Sequence, residues 1–95
     1  MSALIIVDIE VLDPARYEDY KRLASAAIAA HGGRYLVRGG RSEVLDGDWT
    51  PRRLVVLEFE SVEKAKAWRE SPEYAEAKKV RESCAQANMI VVEGA

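Results

Sequence analysis

Cysteine, histidine and phenylalanine occur once each in this 95-residue chain, at Cys84, His31 and Phe59. A single thiol forms no intrachain disulfide, and it supplies neither a zinc site with several thiolates nor a Cys-x-x-Cys redox pair. A reducing, cytoplasmic setting is therefore expected. One histidine without a cysteine or carboxylate cluster is a weak metal or haem signal, so neither metal nor cofactor is expected. At the end of a helix, His31 is instead favoured by the dipole. With no second histidine to activate it, Cys84 reads as a structural thiol and not a nucleophile.

An excess of basic charge is also missing: 14 Lys and Arg stand against 16 Asp and Glu, a net charge of -2. Domains that hold nucleic acid by neutralising phosphates carry a basic imbalance or stripe, so nucleic acid is not an expected partner. The opening "MSALIIVDIE" has no basic leader and its apolar run stops at Asp8, which fits neither a signal peptide nor a membrane span. Gly39-Gly40 leads into a hairpin and not into a helix, so no phosphate-cradling loop is expected.

What is present, 48% hydrophobic and 32% charged residues, fits one domain over 1–95 with one core. From Ala3 to Val11 the odd positions are all apolar while the even ones run Leu4, Ile6, Asp8, Glu10, which predicts a strand. Asp13 as cap, Pro14 in the first turn and the stripe Tyr17, Tyr20, Leu23, Ala24, Ala27, Ile28 predict a helix that Gly32-Gly33 ends. "RYLVR" alternates again and continues, past Gly39-Gly40, through Ser42–Leu45 to a "DGDW" turn. "RLVVLEFE" returns. Ser61 caps one short helix and Ser71-Pro72 starts another through "AEAKKVRESCAQA", before "NMIVVEG" closes as a strand. The order βαββαβ with right-handed crossovers predicts an α+β, ferredoxin-like sandwich. Its four-stranded antiparallel sheet, in spatial order 4-1-3-2, has its helices on one face.

Tyr35, Val37, Val55, Leu57 and Phe59 join the odd face of the first strand under the helices. The opposite face carries Leu4, Ile6, Leu36, Leu54 and Val56, a broad apolar patch in a monomer. Burying five such side chains contributes on the order of 10 kcal/mol, against an association cost of roughly 4 to 15 kcal/mol. A facing-sheet homodimer is the simplest closed solution. A one-residue offset at Gly39-Gly40 would set Arg34 across from Glu58, Leu36 from Val56 and Arg38 from Leu54. Asp8, Arg38, Trp49 and Arg52 then share one end of the open face, around a small polar pocket between the sheets.

Together "DP" at 13–14, "GGRYLVRGG" at 32–40, "EVLDGDW" at 43–49, "PRRLVVLEF" at 51–59, "AW" at 67–68, "SPEY" at 71–74, Arg81 and the closing "VVEG" resemble the domain of unknown function 1330 family. That family lies within the dimeric α/β-barrel superfamily. The resemblance spans nearly the whole chain and implies a ferredoxin-like dimer with no established activity. Relatives in the wider superfamily include cofactor-independent monooxygenases, muconolactone isomerase-like enzymes and haem-dependent chlorite dismutase-like proteins. Where the family tends to read Glu-Phe-Pro-Ser, this chain has Glu58-Phe59-Glu60-Ser61, which changes entry into the second helix.

Two readings of the site follow. In one, a small anionic metabolite is bound by Arg38, Arg52 and Trp49, and Asp8 or Glu58 moves a proton in a cofactor-free isomerase, lyase or monooxygenase. In the other, the same charges only set dimer register in a non-catalytic binding or assembly module. Trp68, at helical spacing with Ala65, reads as core.

Overall fold

The computed structural model describes residues 2–95. Its elements are β1 (Ala3–Val11), α1 (Pro14–Ala30), β2 (Arg34–Arg38), β3 (Leu54–Phe59), α2 (Val62–Arg69), α3 (Pro72–Cys84) and β4 (Ala85–Glu93). The strands form one antiparallel sheet in the order β2-β3-β1-β4, the ferredoxin-like arrangement that the alternation and helix signals predict.

Each helix starts where a side chain accepts an otherwise unpaired backbone N–H. Asp13 accepts from Arg16 at 3.2 Å, Ser61 from Lys64 at 3.2 Å and Ser71 from Tyr74 at 3.1 Å. The Ser71 hydroxyl also donates to the Trp68 carbonyl at 2.7 Å, so one buried serine closes α2 and opens α3. Gly33 brings the chain against the Phe59 ring and Ile28, in a space that a Cβ would fill.

The core lies between the sheet and the helices. Ile5, Val7, Ile9, Val55, Leu57 and Phe59 face Tyr17, Tyr20, Ala24, Ala27, Ile28, Trp68 and Tyr74. Ala24 and Ala27 let α1 approach the sheet, and the aromatic rings fill the remaining volume. The Tyr20 and Tyr74 hydroxyls meet at 3.2 Å, which pairs two polar groups in an otherwise apolar layer. The other sheet face is uncovered, with Ile90 59% exposed and Leu36, Val37 and Val92 also exposed. Leu4, Ile6, Leu54 and Val56 are half-buried beside them.

Three local features depart from the sequence reading. The offset between β2 and β3 falls between Tyr35 and Val37, not at Gly39-Gly40: Arg34 pairs with Glu58 and Tyr35 with Leu57, but Val37 pairs with Val56 and Arg38 with Val55. Leu36 is the extra residue of this bulge. Val37 therefore joins the open face, and Arg38, beside inward-facing Val55, turns to the helix side. Ser42–Leu45 is not a strand, and the chain from Gly39 to Arg53 is a loop with Leu45 89% exposed. Finally, α3 ends at Cys84 and not at Ala87, because Ala85 and Ala87 pair with Val11 and Ile9.

Candidate functional site

Of the residues expected to surround an inter-sheet pocket, the structure brings three together. The half-buried Asp8 accepts from the Trp49 indole N–H at 3.0 Å through one carboxylate oxygen, and from the Arg52 backbone N–H at 3.0 Å through the other. These two bonds, the Trp49 one first, hold the Asp8 carboxyl below its ordinary range. Arg52 also reaches Glu10 at 3.4 Å. The effect is to pin the end of the 39–53 loop to β1. An open groove runs from this knot past Thr50 to Gln86 and Asn88. Glu58 lies apart from it at the far end of β3, bonded to Arg34 at 2.6 to 2.7 Å.

Arg38 is not part of that cluster. Its guanidinium lies 4.4 Å from the centre of the Tyr35 ring and donates to the Ser25 hydroxyl of α1 at 3.0 Å. Ser25 in turn meets the Tyr35 hydroxyl at 3.0 Å. The bulge is the physical reason: two residues opposite Val56 reverse the side on which the next one emerges.

Turned this way, Arg38 borders a cavity between sheet and helices that the sequence reading does not contain. Val7, Ile9, Val55 and Leu57 form its floor, Tyr17, Ala24 and Ile28 of α1 its roof, and Trp68 and Met89 also line it. Its cations are Lys21, Arg38 and Arg53, and among the described residues no carboxylate lines it. The cavity volume is about 30 Å³, enough for roughly two water-sized groups. Lys21 pairs with Glu18 at 2.9 Å, but among the described residues neither Arg38 nor Arg53 has a carboxylate partner.

Arg53 is placed by its neighbours. Its carbonyl accepts from Ile9 at 2.9 Å, which extends the sheet by one bond. Its guanidinium lies 5.6 Å from the centre of the Tyr17 ring, and it occupies the space that a Cβ on Gly39 would take. Gly39 also has φ +72°, so glycine is required there both for backbone conformation and for room. Burial pushes the Tyr17 phenol above its ordinary value, partly offset by Arg53. Two of the lining residues each hold a buried donor without a partner among the described residues: the Arg53 Nε and the Trp68 Nε1. Buried donors are rarely left so, and such groups point to an unfilled requirement.

The sequence carries a signal for Arg53. Val55, Leu57 and Phe59 put the odd positions of β3 inward, so of the adjacent pair in "PRRL" the odd one faces the helices. Of the remaining candidates, the His31 Nε2 meets a Glu73 carboxylate oxygen at 2.7 Å and ties α1 to α3. Cys84 is buried, and desolvation pushes its thiol up. No group of three or more metal-ligating side chains occurs among the described residues, and no helix is long and apolar enough to cross a membrane.

Comparison with known proteins gives family and fold. Residues 2–95 match the family described as Domain of unknown function (DUF1330). A protein of unknown function from Rhodopseudomonas palustris, RPA0582, superposes with a TM-score of 0.80 at 18% identity over 99% of this chain and 82% of its own. SnoaB, a cofactor-independent oxygenase from Streptomyces nogalater, gives 0.68 at 11% identity over 99% and 93%. A dimeric protein of unknown function and ferredoxin-like fold from Bacteroides fragilis gives 0.64 at 15% identity over 98% and 96%. No curated protein matches the chain.

Proposed function

The chain belongs to the DUF1330 family of domains of unknown function, and on that footing we propose that it is a homodimer that binds a small anionic metabolite in the cavity between sheet and helices. The observation that carries this reading is the cavity's charge: Arg38 and Arg53 border it without carboxylate partners, in a chain with a net charge of -2. Arg38 is exposed, but Arg53 is half-buried with its Nε buried and unpaired, and an anion supplied from solution would meet that donor. The dimer is supported by the apolar open face and by the Bacteroides fragilis neighbour, which is described as dimeric.

A cofactor-free isomerase, lyase or monooxygenase is the catalytic form of the same proposal. The arginines would steady a developing enolate oxygen, and Tyr17 is the proton-bearing side chain packed against Arg53. SnoaB, of the same fold, is a cofactor-independent oxygenase. Asp8 and Glu58 fit a structural role better: Glu58 is engaged by Arg34, and the Asp8 carboxyl, held below its ordinary range, is a weak base. We assign them to loop anchoring and sheet-edge pairing, with the dimer-register role kept for the Arg34–Glu58 pair.

Native mass spectrometry of freshly purified protein tests both parts. A dimer with a discrete extra mass that Arg53→Gln removes is expected. A monomer refutes the assembly, and an extra mass that Arg53→Gln leaves in place refutes the site.

A further inference from the structure

We propose that the ligand of the helix–sheet cavity is a short 2-oxo acid, its carboxylate on Arg53 and its keto oxygen accepting from the Trp68 indole N–H. The proposal rests on the reading of the cavity as an anion site and adds the ligand's class.

Three observations set that class. The cations of the lining call for an anionic head, and the planar guanidinium of Arg53 suits a planar carboxylate. Beyond the head, the walls are Val7, Ile9, Val55 and Leu57, which offer nothing to a phosphate or a sugar. Trp68, however, is 1% exposed and its Nε1 has no acceptor. A simple fatty acid would leave that donor unmet, whereas a carbonyl oxygen next to the carboxylate meets it. The volume sets the length. Space for roughly two water-sized groups accommodates a carbonyl group and a methyl, with the carboxylate held at the Arg53 guanidinium.

Gly39 enters as a positioning residue. The Arg53 guanidinium lies where a side chain at 39 would begin, so Gly39→Ala displaces the head-group contact without touching the cavity walls. Tyr17 supports the same guanidinium from the other side.

Pyruvate, propionate and acetone, titrated separately into nitrogen-15-labelled protein, test the assignment. The Trp68 indole resonance is the one that remains in Trp49→Phe. Pyruvate is expected to move it and to bind at least about tenfold more tightly than propionate or acetone, because each analogue leaves one donor unpaired. Arg53→Gln and Gly39→Ala are each expected to weaken pyruvate by about tenfold or more and to bring it level with acetone. Propionate binding as tightly as pyruvate, with the indole unmoved, overturns the 2-oxo assignment and leaves the anion site standing. Acetone binding alone, or none of the three entering, overturns the anion site as well.

Discussion

Ile6→Glu places a charge in the middle of the open face without touching the helix-side core. Ile6 pairs with Val56 on one side and Ile90 on the other, and Leu4 lies two residues away on the same face. Leu36, Val37, Leu54, Val56, Ile90 and Val92 complete the patch, most of them half-buried or only moderately exposed. About a third of the roughly 1.5 to 3 kcal/mol of full burial remains for each to gain, which over the two facing copies sums to on the order of 10 kcal/mol. That is comparable with an association cost of roughly 4 to 15 kcal/mol, so the dimer has little reserve. A carboxylate buried in the contact costs several kcal/mol, and two-fold symmetry imposes it twice. Affinity is expected to fall at least about 10³-fold, or roughly 4 kcal/mol. Sedimentation velocity across a concentration series reads the dissociation constant, and circular dichroism checks that the monomer stays folded. A folded Ile6→Glu variant with wild-type dissociation refutes the facing-sheet dimer.

The Asp8 carboxyl is held below its ordinary value chiefly by the Trp49 bond and then by the Arg52 backbone bond. Its ionised form therefore stabilises the folded state above pH 3.8, the ordinary value, and that contribution is lost as the pH falls from there through the lower folded value. The difference in urea midpoint between wild type and Asp8→Asn should accordingly shrink between pH 6 and pH 3, and a constant difference would contradict the anchoring. Tyr20→Phe leaves the Tyr74 hydroxyl buried without its partner, which should cost about 1 to 3 kcal/mol in urea unfolding; a neutral result would show that the pair contributes nothing. Cys84, buried with its thiol pushed up, should react with an aromatic disulfide reagent only as fast as the protein opens. Prompt labelling of the native protein would refute its burial.

The fold was legible because several independent signals coincide. Ala3–Val11 alternates without interruption, Asp13-Pro14 and Ser71-Pro72 mark helix starts, and the cap at Ser61 lies where the turn chemistry puts it. The C-terminal boundary of α3 was less so. "AQA" has good helix propensity, and only the pairing of Ala85 and Ala87 with β1 draws it into the sheet.

The site was legible in composition but not in position, and the bulge explains the difference. In "RYLVR" both Leu36 and Val37 are apolar, so either can face outward, and the hydrophobic pattern of these two residues cannot choose where the offset falls. Glycine marks common bulge positions, which drew the offset to Gly39-Gly40, but Gly39 is needed for another purpose: it makes room for Arg53. Because the offset comes before Arg38 and not after it, Arg38 leaves the company of Asp8 and Trp49 and joins Arg53 on the helix side. One residue of register thus moves the proposed anion site from the open sheet face to the helix side of the sheet. It also makes the dimer face and the ligand cavity separable: Ile6→Glu should abolish the dimer while a monomer still binds an anion, and Arg53→Gln should do the reverse. Measured together by sedimentation and pyruvate titration, coupled loss in both variants would show that the two faces form one site after all.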